Sequence, residues 1–209
     1  MNIQPFLERS SARHSHLCPR QVLGVRIGLL ASQVFNFPPG ENPKKRILTF
    51  VESDGCFSDG VEVATGCTMG HRTMQLQDYG KIAAVFVDTN TSDSIRIAPR
   101  LDVREQALTC CPTENRHYFA QLQAYQELPD EELLTIQQVR LNIPIWEIIS
   151  RPGLLVNCAS CGEEIINERE VKRNGQNFCQ NCAGEGFYKS ILFSTSNHIT
   201  LQSVSLDLK

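Results

Sequence analysis

Three reactive side chains fall on every second position early in the chain: His14, His16 and Cys18, within Arg13-His14-Ser15-His16-Leu17-Cys18-Pro19. On an extended backbone side chains alternate, so all three would share one face. Imidazole and thiolate together are ligands for zinc, nickel or copper. Pro19 suits the first position of a helix, which sets Cys18 at the N-cap, beside unpaired N–H groups and the positive end of the dipole. A thiolate is favoured there. The plainer reading is two surface histidines before a helix and one small buried cysteine.

A second set is more specific. Cys158-Ala159-Ser160-Cys161 and Cys179-Gln180-Asn181-Cys182 form C-x2-C-x17-C-x2-C. Two such pairs on tight turns complete a tetrahedral Zn²⁺ and leave no position open for substrate, so the expected role is structural zinc. An iron centre or a redox dithiol pair is the alternative use of the same spacing. Between the pairs, Ile165, Ile166 and Val171, then Asn174-Gly175, then Phe178 predict one small hairpin whose folding depends on metal. Arg169, Lys172, Arg173 and Lys189 are balanced by Glu163, Glu164, Glu168 and Glu170, which argues for a solvated surface over nucleic-acid binding.

A third region places Asp54-Gly55-Cys56, Thr65-Gly66-Cys67-Thr68-Met69-Gly70-His71 and Asp78-Tyr79-Gly80-Lys81 close together in sequence. Glycines beside reactive polar residues at element ends present backbone and ligands to a bound group. Taken singly, Cys56 and Cys67 read as core, Asp54 as a turn and His71 as a loop residue.

The elements that must hold these residues read as α+β, with helices on a mainly antiparallel sheet and a small C-terminal zinc ribbon. Ile3, Phe6 and Leu7 predict a short first helix, and Val22 to Phe35 a long, mostly buried one interrupted by Arg26. Gly24 and Gly28, four apart in that helix, predict close approach of another element. A strand is expected over Arg46 to Glu52, and a helix capped by Ser58 or Asp59 through Ala64, closed by Gly66. A hairpin of Ile82 to Asp88 and Ser94 to Ala98 follows. Asp102 caps a helix to Leu108. Glu114 to Leu128 is helical with Tyr118, Phe119, Leu122 and Tyr125 on one side as core or dimer contact, and Pro129 opens a short third helix. Val139 to Ile149 is expected as a strand broken or edged by Pro144. The domains are 1–150, 151–190 for the ribbon, and 191–209 as a C-terminal strand or tail, bulged at Gln202-Ser203.

A net charge of −3 over 209 residues predicts no polyanion partner. The apolar run from Val22 lacks a cleavage site and no stretch has the length of a bilayer span, so a cytoplasmic protein is expected, without membrane association. Nine cysteines, four at zinc spacing, fit a reduced compartment better than a disulfide framework.

The combination of His14-x-His16-x-Cys18-Pro19 with Gly24, Asp54-Gly55-Cys56, Thr65-Gly66-Cys67-Thr68 and Asp78-Tyr79-Gly80-Lys81 resembles the E-subunit family of formylmethanofuran dehydrogenase. The resemblance covers about the first 110 residues, and Cys182-Ala183-Gly184 running into Phe187-Tyr188 resembles the end of members that carry a zinc module. The ribbon itself is similar to the four-cysteine type of the TraR and DksA proteins. The resemblance implies a usually dimeric α+β domain in which His14, His16, Cys18, Cys56 and Cys67 come together in a cleft that can hold a second transition metal. Ser15 and Arg20 stand where the family pattern has glycine, and His71 where it has lysine. Arg20 thus brings a bulky cation to the site, and His71 either replaces the cation or adds a ligand.

Three functions follow as expectations. The first is a metal-binding accessory protein of formate-level or pterin-metal redox metabolism, a homodimer that docks a redox-enzyme partner. The second is an enzyme using Cys18 as nucleophile, or a metal-bound water, with His16 or His71 as acid or base. The third is a zinc-ribbon regulator that binds a protein or nucleic acid. No nucleotide-binding glycine fingerprint and no phosphate loop supports the enzyme reading.

Overall fold

The computed structural model describes residues 2–149 and 153–189, in two compact units, one running to Ile149 and the other starting at Ser150. In the first, Pro5 near the start of α1 (Gln4–Ser11) and Pro19 at the start of α2 (Pro19–Val34) occupy positions whose N–H groups have no helical partner. Cys18 is the N-cap of α2, with extended backbone, as expected. Helix α2 is buried on nearly every side, so its sequence shows no clean polar stripe.

Helix α3 (Cys56–Thr65) ends at Gly66, whose left-handed φ of 68° closes it. It starts earlier than its sequence suggests. Gly55, at φ 69°, is the N-cap, and neither Ser58 nor Asp59 caps the helix. Ser58 Oγ donates to Gly55 O at 2.7 Å, and the Asp59 carboxylate is taken by Arg13 and His14.

The sheet holds β1 (Ile47–Val51), β2 (Met74–Leu76), β3 (Ala84–Asp88), β4 (Ser94–Pro99) and β5 (Leu134–Gln138), in the order β2-β1-β3-β4-β5. Only β1–β2 is parallel. Ile47, Val51, Ala84, Phe86, Ile95 and Ile97 join the helices in the main core. On the other face Leu48, Phe50 and Val87 are covered by Leu141, Ile145 and Ile148. Val139 to Ile149 is therefore not the expected broken strand. It holds the one-turn helix α7 (Ile145–Ile148) after Pro144 and packs across the sheet, while the strand lies just before it. Past Leu134, β5 is exposed, and its alternation is confined to Leu134 and Ile136, too short to mark a strand in the sequence.

Asp102 precedes α4 (Val103–Cys110), and α5 (His117–Glu127) buries Ala120, Ala124 and Tyr125. Tyr118 and Phe119 are exposed, so the aromatic stripe is split between core and surface. Arg26, which interrupts the apolar run of α2, fastens the end of α5. Its guanidinium donates to Tyr125 O at 3.0 Å and Leu128 O at 2.7 Å. It also pairs with Asp130 at the start of α6 (Asp130–Leu133) at 2.7 Å. The carbonyls left over at the C-terminus of α5 thus gain a buried cation.

Asp88, at the end of β3, is buried and pairs with Arg46 at 2.6 Å. Burial alone would raise its pKa. The Arg46 guanidinium and the N–H groups of Asn90 and Thr91 outweigh that and hold it below the usual carboxylate range. The stability it contributes is therefore present above the ordinary carboxylate pKa of about 4 and lost as pH falls through the depressed value. Urea unfolding of wild type and Asp88→Asn should show wild type more stable at neutral pH and the gap closing as acid is added. A gap that does not change with pH would refute this assignment.

In the second unit β6 (Leu155–Asn157) pairs with β7 (Glu164–Ile166), and β8 (Val171–Arg173) with β9 (Gln176–Phe178). Where the sequence predicts one hairpin, there are two. Asn174 and Gly175, at φ 49° and 75°, make the tight turn between β8 and β9. The strand expected over 191–209 lies outside the described residues. Among the described residues no helix is long and apolar enough to cross a membrane.

Candidate functional site

The glycines of α2 decide where the reactive residues meet. A Cβ on Gly24 would collide with the backbone of α3 at Phe57 and lie 3.0 Å from Gly60 Cα, and one on Gly28 would come within 2.6 Å of Ala64 Cβ. Gly24 faces Gly60 and Gly28 faces Ala64, so the two helices run side by side in the same direction. Their starts are adjacent. Cys18 is the N-cap of α2 and Cys56 the first residue of α3, so both thiols reach the same end of the pair.

The loop leading to Cys18 is held by one buried side chain. Gln21 Oε1 accepts the Cys18 N–H at 2.8 Å, and its Nε2 donates to Ser10 O at 3.0 Å, tying the end of α1 to the start of α2. Residues 12–16 make turns and bends, not the extended run that would align three side chains. His14 Nε2 instead meets Asp59 Oδ2 at 2.7 Å, while Arg13 bridges Asp59 and Glu62.

His16, Cys18 and Cys56 line one cavity of about 650 Å³, together with Tyr118, Gln121 and Tyr125 from α5. Burial raises the Cys56 thiol pKa, and the neighbouring Cys18 thiol raises it further. Burial likewise raises the Tyr118 phenol, with Cys18 and Cys56 adding to the effect, and its hydroxyl donates to Leu17 O at 3.3 Å. The chemistry within reach is that of two thiols, an imidazole, two phenols and four cations beside apolar walls.

Besides His14, two other expected members lie elsewhere. Cys67 is fully buried against Asn42 Nδ2 at 3.2 Å and Ile47 O at 3.4 Å, and burial pushes its pKa up. His71 is exposed, its N–H donating to Thr68 Oγ1 at 3.0 Å. Lys81, from the Asp78-Tyr79-Gly80-Lys81 stretch, also lines the cavity, joined by Tyr118, Arg100 and Arg104, which did not stand out in the sequence as site residues. They come from positions far apart in the chain, and no local pattern marks them.

In the second unit the sulfurs of Cys158, Cys161, Cys179 and Cys182 all lie within 4.8 Å of one another, the only such ligand group among the described residues. This donor set fits a thiophilic cation. The N–H groups of Cys161 and Cys179 favour the Cys158 thiolate and push its pKa down to about 6. For Cys161, the N–H of Glu163 favours the thiolate, but burial and the three neighbouring thiols win and push it up to about 12. A cluster that resists full ionisation by mutual repulsion is what a bound dication relieves.

The family model described as FmdE, molybdenum formylmethanofuran dehydrogenase operon, matches residues 13–135, which hold every residue lining the His16–Cys18–Cys56 cavity and none of the four-cysteine cluster. The "Probable S-adenosyl-L-methionine-binding protein" of Archaeoglobus fulgidus is 34% identical over 199 residues, covering 86% of this chain. The chain spans about half that relative's length, 52%. The crystal structure of a tungsten formylmethanofuran dehydrogenase FmdE-like protein from Syntrophus aciditrophicus aligns with a TM-score of 0.59 at 19% identity, over 90% of this chain and 96% of that one. That likeness shows a shared fold.

Proposed function

The chain belongs to the FmdE family, and on that premise we propose that it is an accessory protein of a redox metalloenzyme, with a structural zinc ribbon and a second metal or thiol site in its cleft. The observation that carries the reading is the meeting of Cys18 and Cys56 at the starts of two parallel helices, with His16 in the same cavity. Residues brought together from two helix starts by glycine packing are placed for a bound group. His14 and Cys67 serve other contacts, so the second site reduces to His16, Cys18 and Cys56. The ribbon, taken as TraR/DksA-like with zinc, docks the partner enzyme or a second copy of the chain in a cytoplasmic homodimer.

A catalytic role for the same cleft is the second reading. It is favoured by Tyr118 standing beside the two thiols, where a phenol is a proton donor to a group attacked by Cys18.

Elemental analysis of the full-length protein purified without added metal separates the parts. Wild type is expected to hold zinc in the ribbon and a second transition metal. The Cys179→Ser/Cys182→Ser variant keeps only the second, and Cys18→Ala or His16→Ala loses only the second. A ribbon variant free of metal would sink the second-metal part and leave a thiol site.

A further inference from the structure

We propose that the cleft is built to hold a small organic oxyanion, a carboxylate or phosphate on an apolar body, between Arg20, Lys81, Arg100 and Arg104. The inference rests on the reading of this cavity as the functional site. Acidic residues outnumber basic ones in the chain, 23 to 20, yet these four cations line the cavity and, among the described residues, no carboxylate does. Such segregation sets up a local positive field in a chain of net negative charge. Among the described residues Arg100 pairs only with half-buried Asp102, at 3.3 Å, and Arg20, Lys81 and Arg104 make no ion pair. Asp59, the acidic residue in the first turn of α3, is paired with Arg13 and His14.

Two helix starts add to the field. The positive ends of α2 and α3 meet at Cys18 and Cys56, on the same cavity. Leu23, Ile82, Pro99, Val103 and Tyr125 supply apolar walls, and a volume of about 650 Å³ suits a small organic molecule. Guanidinium groups match carboxylate and phosphate in paired hydrogen bonds.

The thiols report the field directly. The full-length protein is treated with trace iodoacetate or with neutral iodoacetamide, and alkylation at Cys56 is measured by peptide mass spectrometry against exposed Cys110 as internal reference. The iodoacetate-to-iodoacetamide ratio should be about tenfold higher at Cys56 than at Cys110. It should fall to the Cys110 value in Arg20→Gln/Arg104→Gln and in high salt. Equal ratios at the two cysteines overturn the proposal.

Phenyl phosphate and benzoate, titrated calorimetrically, distinguish the two oxyanions, with benzyl alcohol as the uncharged control. Either anion should bind wild type and lose roughly tenfold or more in affinity in the double variant. Tighter binding of benzyl alcohol overturns the proposal. Metal counting reads the cleft independently, so a cleft that holds metal but shows no anion preference defeats this inference alone.

Discussion

Cys179→Ser is expected to strip the metal from the C-terminal unit and to unfold its two hairpins, leaving the first unit intact. The four sulfurs converge within 4.8 Å, while the apolar burial around them is slight. Ile165, Ala183 and Cys158 are its buried apolar residues among those described, and Leu155, Ile166 and Phe187 are exposed. So small a core cannot offset the entropy of ordering its loops, and metal binding becomes the folding energy. Two-dimensional NMR should show collapsed dispersion for 153–189 and unshifted resonances for 2–149, with elemental analysis recording the lost metal. Retained dispersion without metal would falsify the structural role.

The same cluster sets a direction with pH. The Cys158 thiol, pushed down to about 6 by backbone N–H groups, stays ligand-ready at neutral pH. Metal should be released as the solution is acidified, because protons then compete for the sulfurs. A chelator should therefore extract the metal at about pH 5 and leave it in place at about pH 7.5.

The second large effect is Gly60→Val. A Cβ at Gly60 would strike the backbone of α2 at Gln21 and stand 2.8 Å from Val25 N. No rotamer relieves a clash that involves Cβ itself, so the helices must separate. Overpacking of this kind costs roughly 3 kcal/mol, read as a lowered urea midpoint. The consequence reaches the cleft, because the same crossing brings Cys18 and Cys56 to one end. Cys56 alkylation in folded Gly60→Ala, the milder variant, should lose its dependence on Cys18. Wild-type stability in Gly60→Val would show that the helices pack differently.

How far the sequence reached can be judged residue by residue. The cysteine pairs at 158, 161, 179 and 182 needed only spacing, because two tight turns of a few residues fix where each pair of sulfurs points. Pro19 after Cys18, Gly66 closing a helix and Asn174-Gly175 in a hairpin are likewise local: one residue's backbone preference decides each. Gly24 and Gly28 announced that something would approach, without naming α3. What approached, and therefore which thiols meet, was set by packing between segments far apart in the chain. So were the turn of His14 to Asp59, the burial of Cys67 away from the cleft, the pinning of α5 by Arg26 and the exposure of Tyr118 beside the thiols. Local backbone chemistry is written in neighbouring residues and can be read from them. The cleft exists only once two helices share a glycine seam on a buried sheet, and that free energy belongs to the whole domain.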